Sequence, residues 1–282
     1  MNTQEYLKEI KKRISHLDSY VEGEEKLLLK MALKLDSAQL FLLKELSFKQ
    51  VEVAEKVVKR REKNEPLTKI FHNAEFMGFE FYVNRDVLSP RKESELLVEK
   101  ALVIASNMLK KKNKITILDM CCGSGCIGIS IKKLLGKDAI VTLCDVSSKA
   151  LNVAKRNSKG LNIDIIKSDM FQDLNIKEKF DIILCNPPYI SQNEYKELSL
   201  SVKKYDPKIA LVGGQDGLEF YRILANDGKK FLTTKGQIVM EIGYNEQESV
   251  EKIFQKMHFY TSVYKDYSGL SRMVVASLEK KR

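Results

Sequence analysis

ITILDMCCGSGCIGISIKKLLGKDAIVTLCD, residues 115–145, decides the fold. ITILDM (115–120) is dominated by apolar and β-branched side chains and predicts a buried strand. Two glycines, Gly123 and Gly125, then open a helix over 125–135, and AIVTLC (139–144) predicts a second strand. Strand, glycine turn, helix, strand is the parallel βαβ unit. Working downstream, the pattern predicts a helix over 147–159 and strands at NIDIIK (162–167) and FDIILC (180–185). A helical stretch over about 217–232 follows, then QIVMEI (237–242), a helix over about 245–257, and strands near 258–265 and 271–277. Alternation of this kind means an α/β domain, a parallel sheet covered on both faces.

Upstream the pattern is different. Residues 1 to about 65 read as helices only, with Gly23 the one glycine and no proline before Pro66. Apolar residues recur at helical spacing, as at Leu27, Leu28, Met31 and Leu35. Asp36 or Ser37 reads as a cap before a new apolar run. Between about 67 and 90, AEFMGFEFYVNRDVLSP alternates aromatic and polar residues around Gly78 and predicts a β-hairpin. A long helix is expected from Lys92 to about Lys111. The expected organisation is a helical domain over 1–72, a hairpin linker over 73–90 and a catalytic domain over 91–282.

Composition narrows the class. The chain has 282 residues, 44% hydrophobic, and its apolar runs are too short for a membrane span. The first residues, MNTQEYLKEIKKR, lack the apolar stretch of a signal peptide, so a cytoplasmic protein is expected. The net charge of +10 is compatible with an acidic partner, but only 9 of the 48 basic residues are Arg and Lys is spread along the chain. Five cysteines without a CxxC pair, and three scattered histidines, argue against a disulfide framework or a metal site.

In a doubly wound sheet, ligands bind at the carboxyl ends of the strands. The first strand ends in Cys121, Cys122, Gly123, Ser124 and Gly125, a turn whose backbone can approach a ligand closely. The second ends in Asp145, an acid suited to the two hydroxyls of a ribose. This pair fits a dinucleotide as well as other nucleosides, and a tight turn with a solvated Asp is the plain alternative. After the third strand, Ser168-Asp169-Met170-Phe171 offers Met170 or Phe171 as cover for an adenine.

The fourth strand separates the readings, because it ends in Asn186-Pro187-Pro188-Tyr189. Proline carries no N–H and fixes φ, so the strand stops there. A nitrogen conjugated to a carbonyl or a ring is a poor nucleophile, since its lone pair is delocalised. It needs acceptors for both of its N–H groups and an aim toward the electrophile. The Asn186 side-chain oxygen and the Pro187 carbonyl are two such acceptors, and Tyr189 supplies a flat face. The electrophile that suits the remaining strand ends is a methyl sulfonium. S-adenosyl-L-methionine has a ribose for Asp145 and an adenine for Met170 or Phe171.

At this point the chain resembles a known family, the peptide chain release factor N5-glutamine methyltransferases (PrmC/HemK family). The resemblance runs through EPLTKIFHNAEFMGFEFYVNRDVLSPRKESELLVEKAL, ILDMCCGSGCIGIS, DVSSKALNVAKRN, FDIILCNPPYIS, YDPKIALVGGQDGLEFYRIL, EIGYNEQ and KDYSGLSRMVVA. It implies a class I S-adenosyl-L-methionine-dependent fold, Rossmann-like, with a seven-stranded mostly parallel sheet, a small N-terminal helical bundle and a β-hairpin linker. It implies methylation of the glutamine amide in the Gly-Gly-Gln motif of class I peptide chain release factors. The donor site would be Cys121 to Gly125, Asp145, Met170 or Phe171, and Asn186, and the substrate clamp Asn186, Pro187, Pro188 and Tyr189. The chain departs from the family pattern at Cys121, where a glycine is usual, at Cys122, and at Ser89-Pro90-Arg91-Lys92-Glu93-Ser94. Its own Gly213-Gly214-Gln215 falls in the family's Gly-Gly-x-Asp-Gly segment and is read as a chance match to the substrate tripeptide. Asn-Pro-Pro-Tyr is shared with enzymes that methylate adenine or guanine amines. A nucleic-acid amino-methyltransferase, or a methyltransferase of a ribosomal-protein glutamine, is therefore the alternative. A monomer that uses no metal is expected.

Overall fold

The computed structural model describes residues 1–17 and 19–279. It divides into two compact units, Met1–Asn73 with Ser199–Tyr205, and Ala74–Leu198 with Asp206–Arg282.

The first unit is helical. It contains α1 (Thr3–Ile14), α2 (Glu24–Leu33), α3 (Ser37–Leu42), α4 (Phe48–Glu62) and α5 (Leu67–Phe71). Asp36 and Ser47 each close a capping box, with Gln39 and Gln50, so the starts of α3 and α4 are satisfied locally. Tyr6, Ile10, Ile14, Leu28, Leu29, Ala54 and Val58 form its core. Inside that core, Arg61 Nε lies 2.5 Å from Glu24 Oε1, both side chains nearly without solvent contact. Leu67–Phe71 falls at the end of the segment expected to be helical, just before the expected hairpin. The segment forms a helical turn because Pro66, with its fixed φ, stands at the N-cap and starts it.

The second unit begins with β1 (Asn73–Phe76) and β2 (Phe79–Tyr82), a two-stranded hairpin. Then follow α6 (Glu95–Leu109), β3 (Ile115–Met120), α7 (Cys126–Leu135), β4 (Ala139–Asp145), α8 (Ser148–Asn157), β5 (Asp164–Lys167), β6 (Phe180–Cys185) and α9 (Gln192–Glu197). A tenth helix, α10 (Leu200–Tyr205), belongs to the helical unit, where the Ser201 hydroxyl donates to Asn64 O at 2.9 Å. The chain ends with α11 (Glu219–Asp227), β7 (Leu232–Glu241), α12 (Gln247–Lys256), β8 (Tyr260–Lys265) and β9 (Ser271–Ser277).

Among the described residues the main sheet has seven strands in the order β5-β4-β3-β6-β7-β9-β8. β3 to β7 run parallel, and β9 is antiparallel to both neighbours. The class I methyltransferase fold implied by the sequence is the fold found. Strand order reverses between β3 and β6, so the topological switch point lies there. Met120 at the end of β3 pairs with Cys144 on one side and Cys185 on the other. The next residues along those neighbours, Asp145 and Asn186, therefore flank the turn that follows β3.

β7 starts five residues before the expected strand. Leu232 pairs with Phe180 and Gln237 with Ile182, and the residues between loop out as a bulge. The hairpin packs onto the sheet unit: Ala74, Val83 and Val87 bury against Ala150 and Val153 of α8. The Asn157 side chain joins the two, accepting from Tyr82 N at 2.8 Å and donating to Tyr82 O at 3.0 Å and Ser124 O at 2.9 Å. No helix among the described residues is long and apolar enough to cross a membrane.

Candidate active site

The strand ends surround a cavity with about 940 Å³ of empty space, counting the part open to solvent. Cys121 to Ser124, Asp145, Met170, Asn186 and Pro188 line it, with Leu88, Pro90 and Arg91 from the segment after the hairpin.

The turn after β3 is built by short backbone bonds. Gly125 N donates to Cys122 O at 2.7 Å and Cys122 N to Cys144 O at 3.0 Å. Gly125 takes φ +78° and caps α7. Its missing Cβ matters for packing too, since a methyl group there would stand 2.8 Å from Ile129 Cδ1. Beneath the turn, Asp119 Oδ2 accepts from Gly128 N at 2.8 Å, which fixes the first turn of α7. Its Oδ1 is buried without a hydrogen-bond partner among the described residues. Burial pushes the Asp119 carboxyl up to about 7, and the Asp145 charge adds to the rise.

Asp145 is held from two sides. Oδ2 accepts from Gly123 N at 2.9 Å and Oδ1 from Ser147 N at 2.8 Å. Burial raises its pKa, and these two bonds oppose the rise. Each oxygen has a further lone pair and Asp145 lines the cavity, so the carboxylate has the capacity for two further donors, as a vicinal diol offers.

Of the two residues expected to cover an adenine, the structure brings only one to the cavity. Met170 adopts φ +50° and lines the wall. Phe171 turns into the core and stacks on Phe231 at 4.9 Å between ring centroids, so it is a packing residue. Gly125, Pro187 and Tyr189 do not line the cavity either: Gly125 supports the turn, Pro187 is buried, and the Tyr189 hydroxyl reaches Glu241.

Asn186 Nδ2 donates to Ser94 Oγ at 3.0 Å, and Oδ1 has no hydrogen-bond partner among the described residues. The Ser94 hydroxyl donates to Glu241 Oε2 at 2.5 Å, and the Tyr189 hydroxyl to Glu241 Oε1 at 3.4 Å. Behind the loop, Ile190 and Val212 form a parallel bridge, with Gly213 N donating to Ile190 O at 2.9 Å. A Cβ on Gly213 would stand 2.3 Å from Pro188 O, and one on Gly217 2.3 Å from Tyr189 O. These glycines let a second backbone back the Asn186–Tyr189 loop. That gives Gly213, the first residue of Gly213-Gly214-Gln215, a packing role.

With this geometry in view, the comparisons with known proteins are specific. Residues 94–202 match the family model described as methyltransferase small domain. A release factor glutamine methyltransferase of Clostridium acetobutylicum is 38% identical over 273 residues, covering 92% of each chain. The chain belongs to the release factor glutamine methyltransferase family. A second such relative, from Fusobacterium nucleatum, is 37% identical, covering 79% of this chain and 63% of its own. A bifunctional methyltransferase of Rickettsia felis is 39% identical over 81% of this chain, which spans about half (48%) of that longer protein. Two solved structures share the fold alone. The hMettl16 catalytic domain matches at TM-score 0.56 and 15% identity, covering 85% of this chain and 86% of its own. A Pyrococcus furiosus methyltransferase matches at TM-score 0.52 and 17% identity, covering 78% and 96%.

Sequence reading missed Ser94, Glu241 and Asp119. A signal was available for Asp119, a charged residue inside a strand that is otherwise almost entirely buried, whereas Glu241 only closes the buried half of β7. Cys121, where the family pattern has glycine, adopts φ +59°. An L residue there costs roughly 1–2 kcal/mol, of which glycine's extra unfolded-state freedom offsets about half. Cys121→Gly is therefore expected to stabilise the protein by about 0.5–1 kcal/mol. Denaturant unfolding with an unchanged or lower midpoint would show that the cysteine contacts, such as Sγ to Met170 Sδ at 3.8 Å, outweigh the backbone strain.

Proposed function

We propose that this chain transfers a methyl group from S-adenosyl-L-methionine to the side-chain amide nitrogen (N5) of the glutamine in the Gly-Gly-Gln motif of class I peptide chain release factors. The observation that carries the reading is the Asn186 amide, held through its nitrogen with its oxygen left free at the cavity wall. The residues present suit the donor. Asp145 offers two acceptor positions to a ribose, Met170 an apolar face to an adenine, and Cys121 to Gly125 a backbone turn to the methionine portion.

When bound, S-adenosyl-L-methionine supplies a methyl group on a positively charged sulfur with a neutral thioether as leaving group. The chain's own part is positioning. Asn186 Oδ1 accepts one N–H of the glutamine amide, and the carbonyl of Pro187, a residue buried beside the cavity rather than in its wall, is the acceptor proposed for the other, which aims the lone pair away from them. As the nitrogen forms its new bond it gains positive charge, and its N–H groups become stronger donors to the same two acceptors. Loss of one of those protons then leaves a neutral N-methyl amide. Pro188 lines the slot that takes the planar group, and the Tyr189 hydroxyl on Glu241 holds the end of the segment. The helical unit supplies a docking surface for the protein substrate, and the reading carries with it a cytoplasmic monomer.

The test is purified full chain with labelled donor and, separately, release factor, ribosomal proteins, DNA and RNA, followed by mass mapping of the methylated residue. Label on the Gly-Gly-Gln glutamine is expected. Label on a ribosomal-protein glutamine or on a base amine, with none on the release factor, would overturn the substrate assignment.

A further inference from the structure

Asn186 can act as an acceptor only if its amide points the right way, and shape alone does not choose, because the amide oxygen and nitrogen are nearly equal in size. The choice is made by the group behind it. Ser94 Oγ lies 3.0 Å from Asn186 Nδ2 and 2.5 Å from Glu241 Oε2. Ser94 is 2% exposed and Glu241 3%, so bulk water does not compete for these bonds. A hydroxyl has one proton to give, and an ionised carboxylate only accepts. That proton is committed to Glu241. Ser94 then shows Asn186 lone pairs alone, and only the NH₂ end of the amide can face it. The reversed amide would set two oxygens against each other with no proton between them.

We infer that Glu241, acting through the Ser94 hydroxyl, is the positioning residue that fixes the Asn186 amide with its oxygen toward the substrate nitrogen. The inference rests on the glutamine-amide reading given above. Glu241 also receives the Tyr189 hydroxyl on its other oxygen, so one buried acid holds both ends of the Asn186–Tyr189 segment. Ser94 lies in the turn before α6, 147 residues away from the last residue of β7, so the pair exists only in the folded sheet unit.

The protonation state of Glu241 follows from its surroundings. Burial pushes its carboxyl up to about 7, opposed first by the Ser94 bond, then by the Arg272 charge on β9 and the Tyr189 hydroxyl, while Glu93 adds to the rise. Tyr221 on α11 also faces it, donating its hydroxyl to the Glu241 backbone O at 2.9 Å. Burial raises the pKa of both tyrosines, which stay neutral around neutral pH. Once protonated, Glu241 can donate to Ser94. The Ser94 proton is then free to turn toward Asn186, and both amide orientations become satisfiable. The productive fraction falls as pH drops through about 7.

Two measurements on the full chain test this. In single turnover with saturating donor and release factor, Ser94→Ala is expected to lower the rate about tenfold or more, with donor affinity unchanged and Ser94→Thr restoring the rate. Glu241→Gln is expected to lower the rate and to abolish the rise of rate with pH through about 7 that is expected of the unsubstituted protein. The second measurement needs no substrate. With ¹⁵N-labelled asparagine, the Asn186 side-chain signals, identified by their loss in Asn186→Ala, should titrate near pH 7 and stop doing so in Glu241→Gln. Asn186 signals indifferent to pH, or a Ser94→Ala protein with the unsubstituted rate, would overturn the inference. A protein that leaves the glutamine unmethylated would defeat the substrate reading instead, and the spectroscopic titration would still decide the role of Glu241.

Discussion

Asn186→Ala is expected to lower the single-turnover methylation rate by about 10²–10³ while donor affinity changes little; removing one preorganised partner of a developing charge typically costs that much. The expectation follows from where the side chain is held. Asn186 follows the last residue of β6, and its nitrogen is already engaged by Ser94. Its oxygen therefore needs no reorganisation when the substrate amide arrives. The bond it makes is worth most in the transition state, when the amide nitrogen becomes cationic, so the loss falls on turnover rather than on ground-state binding. Asn186→Asp keeps the size and an acceptor but replaces the NH₂ with a second oxygen. That oxygen would face the Ser94 lone pairs, with the Glu241 carboxylate just behind, and we expect this variant to be slow as well. Rates measured with saturating donor and release factor check both. A near-normal rate for Asn186→Ala would mean that the Pro187 carbonyl suffices, and the clamp would be wrong.

The alternation of strands and helices after residue 115 was legible because each buried strand is a nearly unbroken apolar run, as in FDIILC. The site was legible for a related reason. Polar or glycine residues at the carboxyl ends of such runs have little purpose in a core, and Asp145 and Asn186 both proved to line one cavity. What stayed hidden depends on backbone turns and on partners far apart in the chain. Met170 and Phe171 look interchangeable in sequence; a left-handed backbone at Met170 sends one to the cavity and the other onto Phe231. Glu241 reads as the end of a strand until the fold brings Ser94 against it. The short helix α9 carries too few residues for periodicity to show, although Ser191 and Glu194 form a capping box that local spacing does encode. α10 is equally short, and its membership of the helical unit rests on contacts with Lys63 and Asn64, far upstream. Gly213 and Gly217 belong to a family signature, yet their reason is a close approach to Pro188 and Tyr189 that no local pattern contains.

Asp145→Ala is expected to weaken donor binding at least tenfold with the fold retained. Bonds to a charged acceptor are worth about 1.5–3 kcal/mol each, so two of them to a ribose diol would exceed a hundredfold. The carboxylate is already desolvated, which is why its pKa is raised, and the donor therefore displaces little water from it. Against this, Asp145 also accepts from Gly123 N and Ser147 N, and its removal loosens the turn as well as the ribose site. Asp145→Asn separates the two effects, since one amide oxygen can still accept while the charge is lost, and it should fall between the other two proteins. The sign of the pH effect is fixed too. Protonation turns an acceptor into a donor on one oxygen, so donor affinity falls as pH is lowered through the raised pKa of Asp145, and the Ala variant lacks that fall. Calorimetric titration of S-adenosyl-L-methionine into the three proteins across pH is the measurement. Equal affinity for the unsubstituted and Ala proteins would remove Asp145 from the donor site and leave its carboxylate as a brace for the turn after β3.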